Sequence, residues 1–178
     1  MHGAMVRPAR VEDAGQIALV HVRSWQGAYR GLIPQAFLDG LDVAQRTRTW
    51  ERALAETDNP RAGVLVADDG GSVVGFVGYF PSRDPDADPD LIGEIGAIYV
   101  LPGAWGGGSG RRLMEAALGR LAGAGFTQVT LWVLDSNDRA RRFYEAGGWS
   151  ADGAAKQDDS RGFPLSEVRY RRSLSSLS

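Results

Sequence analysis

The chain has 178 residues, one domain at roughly 150 residues per domain, and its 43% hydrophobic and 24% charged residues are those of a globular protein rather than a disordered one. Twenty basic against 22 acidic residues leave −2, so no global charge points to nucleic acid, and zero cysteines exclude disulfides, thiolate nucleophiles and cysteine metal ligands. With only His2 and His21, a histidine metal site or a serine-protease triad has little material, and no metal is expected. No apolar run reaches the ~20 residues of a membrane span and no basic, apolar leader opens the chain, so a cytoplasmic protein without a membrane partner is expected. The unusual number is 24 glycines.

Residues 1–4 read as an N-terminal extension, residues 5–172 as one domain and residues 173–178 as a polar tail. Met5–Arg7 is a short extended segment stopped by Pro8. A helix pattern starts at Val11, with Glu12 and Asp13 placed to oppose the helix dipole and Ile17, His21 and Trp25 at i, i+4 spacing. Gly31 ends it; Gln35–Leu41 and Asp42–Glu56 follow as helices. Arg61–Ala67 and Ser72–Phe80 flank the turn residues Asp68–Gly71 as a hairpin, and Ser82–Asp90 is a polar loop. Leu91–Val100 is mostly apolar, hence a central strand. A glycine cluster, a helix from Arg111, a strand Thr127–Leu134, a helix Ser136–Ala146 and a last strand Ser166–Arg172 complete a mixed α/β domain.

A strand that enters Gly106-Gly107-Gly108-Ser109-Gly110 and leaves as a helix is a device for anions. Glycines let backbone N–H groups turn toward the ligand, and the helix N-terminus adds partial positive charge. A P-loop would need Gly-Lys-Ser/Thr at its end, and the dinucleotide fingerprint fails on its third glycine. A plain glycine turn fits the same residues. The run Trp105 to Gly110 resembles the acetyl-CoA loop of the GNAT N-acetyltransferases, Q/R-x-x-G-x-G/A, with Gly108 and Gly110 on the two glycine positions. The preceding IYVLP and following RRLMEAAL are similar to family members as well. Trp105 stands where the family has Gln or Arg, and Gly107 where a basic residue is frequent. Arg111 and Arg112 either restore that charge or are a solvated first turn.

The family's second motif, an Asn followed by a helix ending in Phe-Tyr and a glycine, matches Asn137 and Arg142-Phe143-Tyr144-Glu145-Ala146-Gly147. The resemblance implies a GNAT fold, a mostly antiparallel mixed sheet with splayed central strands flanked by helices. It also implies acetyl-CoA as cosubstrate, the backbone of Ile98, Tyr99 and Val100 pairing with the pantetheine arm, and Trp105, Gly106, Gly107, Gly108, Ser109, Gly110, Arg111, Arg112 and Asn137 around the cofactor. Tyr144 matches the general acid that protonates the leaving thiolate, a sensible role for a phenol of pKa ~10. A core tyrosine and, for Asn137, a helix cap are the plainer readings. Glu94, on the strand leading to the loop, resembles the position of the family's glutamate base; Tyr99 is the weaker alternative, and a strand-edge carboxylate the plainer reading.

Trp25 and Tyr29, i, i+4 neighbours in a W-x-x-x-Y-x-G-x-I/L-P pattern similar to a bacterial subgroup, suit either an acceptor pocket or a helix face in the core. Asp84, Asp86, Asp88 and Asp90 either attract a polycation or are simply solvated. The resemblance therefore implies an acetyl-CoA-dependent acyltransferase whose acceptor is a primary amine: polyamine-like, amino acid, antibiotic or peptide N-terminus. The alternatives are another acyl donor or a hydroxyl acceptor, or a non-catalytic acyl-CoA-binding module. A homodimer is compatible, since dimers are common in the family.

Overall fold

The computed structural model describes residues 3–56 and 58–174. Seven strands form one sheet in the order β1-β2-β3-β4-β5-β7-β6, and only the β4–β5 pair is parallel. The strands are β1 (Met5–Pro8), β2 (Gly63–Asp69), β3 (Ser72–Pro81), β4 (Ile92–Val100), β5 (Gln128–Leu134), β6 (Ser150–Asp158) and β7 (Leu165–Ser173). The helices are α1 (Ala14–Ala28), α2 (Gln35–Asp39), α3 (Val43–Ala55), α4 (Ser109–Gly123) and α5 (Asp138–Ala146).

One sheet face carries α4, whose stripe of Leu113, Met114, Ala117, Leu118 and Leu121 is buried against Leu65, Val77, Ile95, Val129 and Leu131. Each fully buried leucine there contributes about 1.5–3 kcal/mol. Ile17 and Val20 of α1 pack on the other face against Val66, Val73 and Phe76. A third cluster, Ile33, Leu38, Leu134 and Leu165, fastens α2 beneath the end of β5.

Four expectations change. The first helix opens with a 3-10 turn at Val11–Asp13, and Asp13 does more than oppose a dipole: it is buried and accepts from Arg7 Nη1 at 2.8 Å, Arg7 Nη2 at 2.9 Å and the Arg10 N–H at 2.7 Å. The helix after the glycine run begins at Ser109, two residues before Arg111. Ala4 lies in the main core, and so does Leu174, whose N–H donates to the Thr127 carbonyl at 2.9 Å; residues 1–2 and 175–178 lie outside the described residues. Finally, β6 has no counterpart in the sequence reading. It is an edge strand, exposed along nearly its whole length and broken in register between Ala151 and Ala155, so it shows no alternating apolar pattern.

The decisive feature is a divergence in the middle of the sheet. Along β3–β4 the register steps from Gly78–Ala97 to Tyr79–Ile95, which leaves Gly96 as an unpaired bulge residue. A Cβ on Gly96 would run into the Phe80 ring, so the residue must be small for that ring to lie over it. Strand β5 pairs with β4 only from Ile92 to Ile95. Beyond the bulge the two strands part, and a slot opens between them.

Candidate active site

The slot widens into a cleft of about 890 Å³. The half beside the glycine loop is built chiefly of main chain. Leu101 donates to Val74 O across β3, so the alternation of an antiparallel ladder turns the N–H and C=O of Ile98 and Val100 toward the slot and those of Tyr99 toward β3. The open edge is therefore Ile98 and Val100, and Tyr99 enters the cleft by its side chain. The Val100 carbonyl already accepts from Trp105 Nε1 at 2.8 Å and Ser24 Oγ at 3.2 Å.

Gly106 and Gly108 have φ of +84° and +85°, a region in which a side chain would be strained, and Gly108 is the residue from which α4 starts. No side chain caps that helix end. Its first N–H groups and the positive end of a 15-residue helix face the cleft beside Gly106, Gly108, Ser109 and Gly110. The two arginines separate: Arg111 lines the cleft and is held by Glu115 at 3.0 Å, whereas Arg112 donates to the Gly107 carbonyl at 3.1 Å and does not line the cleft. Gly107 is likewise behind the lining. Arg139, which sequence reasoning missed, lies with its guanidinium carbon 3.4 Å from the centre of the Trp105 ring and brings a cation to the loop. The signal was present in Arg139 two positions after Asn137, but only the fold lays it on Trp105.

Asn137 and Tyr144 both reach the cleft from α5. Asn137 Oδ1 caps the helix by accepting the Ala140 N–H at 3.2 Å, which leaves its amide donors free for other work. Tyr144 is 9% exposed among Phe143, Trp149 and Tyr170, and burial pushes its phenol well above the ordinary value. It therefore holds its proton at neutral pH.

The half of the cleft away from the glycine loop is made of side chains. Glu94 lies opposite Thr130 on β5 and accepts the Arg83 N–H at 3.2 Å. Burial raises its carboxyl above the usual range, with the Arg83 N–H opposing. Trp25 and Tyr29 line this half with ring centroids 4.9 Å apart, in contact with Phe37 and the Ile33–Leu38 cluster; they serve both cleft and core. Burial, then the nearby Tyr99 hydroxyl, raises the Tyr29 phenol. Trp132, Lys156, Asp158, Arg161 and Glu167 complete the wall. None of these five was singled out from sequence, because they meet only when β5, β7 and β6 are in register.

The aspartate run is not simply solvated. Arg169, its side chain 6% exposed, makes a two-pronged contact with Asp86 at 2.8 Å per arm, reaches Asp84 at 3.1 Å and holds Asp152 of β6 at 2.7 Å. Trp132 Nε1 also donates to Asp84 at 3.0 Å. The loop before β4 is thereby clasped onto the strands that form this wall, and Asp84 and Asp86 are spent on that clasp. Among the described residues no His, Asp and Glu group is arranged to hold a metal ion, and no helix is long and apolar enough to cross a membrane.

Comparison with known proteins agrees with this geometry. The chain is 35% identical over 142 residues to the uncharacterized N-acetyltransferase YuaI of Bacillus subtilis, covering 79% of this chain and 77% of that one. It is 34% identical over 139 residues to an uncharacterized N-acetyltransferase of Archaeoglobus fulgidus, covering 78% and 88%. Its fold resembles the PaiA N-acetyltransferase of Thermoplasma acidophilum, solved in complex with coenzyme A, with a TM-score of 0.75 at 18% identity over 97% of this chain and 99% of that one. Residues 25–149 match the Acetyltransferase (GNAT) family model. A splayed sheet with a glycine loop at its mouth, close relatives that are N-acetyltransferases and this family match lead to one conclusion: the chain belongs to the GNAT family and is an acyltransferase.

Proposed function

We propose that the protein transfers the acetyl group of acetyl-CoA to a primary amine by direct attack, with both substrates bound at once. The observation that carries this reading is the continuity of the cleft. The same cleft is lined by an unpaired strand edge, a helix N-terminus, a half-buried carboxylate and Tyr144. The open edge, the N–H and C=O of Ile98 and the N–H of Val100, suits an extended amide-bearing arm, which would complete the sheet as an added strand. The loop amides from Gly106 to Arg111, with Arg111 and Arg139, suit a pyrophosphate.

In the reaction, Glu94 accepts a proton from the incoming ammonium, directly or through water, and the free amine attacks the thioester carbonyl. The new C–N bond forms, the C–S bond breaks, Tyr144 delivers its proton to the departing sulfur, and the extra proton left on the acetylated nitrogen returns to the Tyr144 oxygen, directly or through water, while Glu94 releases its proton to solvent. Burial makes the Tyr144 phenol a weaker acid, so it keeps its proton until the breaking C–S bond places negative charge on sulfur in the same dry surroundings, where a bare thiolate is itself costly. Most of the rate gain is positioning of amine and thioester.

Initial-velocity patterns test the order of events: intersecting lines are expected, and parallel lines would mean an acetyl-enzyme. In Glu94→Gln, kcat/KM should fall about 10- to 100-fold, the usual scale for losing a general base. Because the Glu94 carboxyl is raised, the wild-type rate should decline with acidification at a pH above the ordinary carboxylate range, and the variant should lose that limb. An unchanged profile would remove Glu94 from the mechanism.

A further inference from the structure

The half of the cleft away from the glycine loop carries both signs of charge, and they are arranged unequally. Its anions are Glu94, Asp158 and Glu167; its cations are Arg83, Lys156 and Arg161. Among the described residues, only Asp158 and Arg161 of these six form an ion pair, at 2.8 Å. Lys156 stands on β6 directly opposite Glu167 on β7, yet no carboxylate lies within ion-pair distance of its ammonium among the described residues. Its Nζ instead lies 4.2 Å from the centre of the Trp132 ring. Arg83 is similar: its guanidinium carbon lies 3.8 Å over Phe80, and among the described residues no carboxylate pairs with it. Aromatic faces therefore hold two cations along the walls that form no ion pair among the described residues.

The carboxylates lie farther in. Glu94 and Glu167 are half-buried, and burial raises both above the usual range, with Lys156 close enough to pull each back down. The aspartates before β4 do not line the cleft, and Arg169 ties Asp84 and Asp86 to β7, so they stand outside the acceptor's path. A chain of amines entering here would satisfy the two glutamates and meet Lys156 and Arg83 as like charges at the rim. A molecule with an amine at one end and an acid at the other satisfies both sets.

We propose that the acceptor is a small amine that also bears a carboxylate, its amine directed to Glu94 and its acid group held at the rim by Lys156 and Arg83. The proposal rests on the amine-acetylation reading above and narrows its substrate class. Lys156 and Arg83 are then specificity residues for this chain, and a polyamine is the disfavoured acceptor.

The test compares amino acids of increasing amine-to-carboxylate separation with their amides, in which the acid is neutralised, and with spermidine. Thiol release gives kcat/KM for each, and calorimetry on protein saturated with coenzyme A gives acceptor binding without turnover. At least one acid should exceed its amide by about tenfold or more, the scale of one charge-assisted contact. In Lys156→Met with Arg83→Gln that ratio should collapse to about one. Both side chains are on exposed surface, so the fold is not at stake. Spermidine or the amides outperforming every acid, or a ratio unmoved in the double variant, overturns the proposal. If nothing turns over but the acids still bind better than the amides and the double variant abolishes this, the acceptor class stands and the transferase reading falls. No turnover with no discrimination in binding overturns both.

Discussion

The half of the cleft beside the glycine loop, where we place the acyl donor, is chiefly main chain and the opposite half, where we place the acceptor, is side chain, and the two halves are encoded differently. Slot, loop and helix end use backbone N–H and C=O groups, so they need only a bulge at Gly96, left-handed glycines at 106 and 108, and a strand that stops pairing at Ile95. These requirements are local and lie within about twenty residues of sequence. The acceptor wall is assembled from Arg83, Trp132, Lys156 and Glu167, and its clasp joins Asp84 to Arg169 across 85 positions. Variation there can change what is bound without disturbing the fold that holds the cofactor site.

The sharpest way to separate the halves is Arg169→Met. It leaves the largely buried Asp84 without a cation and Asp152 with Arg171 alone. A loss of about 3 kcal/mol is expected, a Tm drop of about 6–12 °C for a domain of this size. Acetyl-CoA affinity should stay within about twofold, because the clasp touches only the acceptor side. A parallel collapse of cofactor binding in calorimetry would show that the halves are not independent.

The complementary change is Gly108→Val. At φ +85° a branched side chain is strained, and the loop must rearrange where its amides face the cleft. Acetyl-CoA affinity should fall about a hundredfold, close to 2.7 kcal/mol, with a smaller loss of stability. Wild-type affinity in this variant would reject the loop as the phosphate cradle.

Smaller still is the effect of His21, which accepts from Trp50 Nε1 at 3.3 Å and stacks against Tyr99. Burial, then the charges of Arg46 and Arg161, holds its pKa down to about 4 from 6.5. The unfolded chain thus binds the proton first, and stability should fall as pH drops from 6.5 toward 4. At pH 5.5 this amounts to about 1 kcal/mol relative to pH 7. His21→Gln should flatten that part of a denaturation-versus-pH curve. Glu94 and Glu167, whose folded values are raised, act with the opposite sign at lower pH.

How much was legible in the sequence follows the same division. The α4 stripe, the glycine loop and the Asn137–Tyr144 spacing are local patterns, and each lies in the fold where its residues suggest. Strand β6 was not legible, because an exposed edge strand interrupted at Gly153 has neither alternation nor β-branched residues. Without β6 there was no register to bring Lys156 opposite Glu167, and Arg169 read as one more charge on a last strand. The aspartate loop looked solvated for the same reason: its partner is distant in sequence. Trp105 looked like a defect in the loop, whereas its indole donates to Val100 O and carries Arg139 on its face.

The central claim is that Tyr144 stands where acetyl-CoA and an amine meet. Thiol release from acetyl-CoA, measured against mixed pools of amines for the wild type and Tyr144→Phe, tests it most directly, since a chain without cysteine adds no thiol of its own. The expected result is release with at least one pool and a kcat about a hundredfold lower in Tyr144→Phe, with acetyl-CoA affinity unchanged. Release that does not depend on the Tyr144 hydroxyl, or silence with every pool, would contradict it.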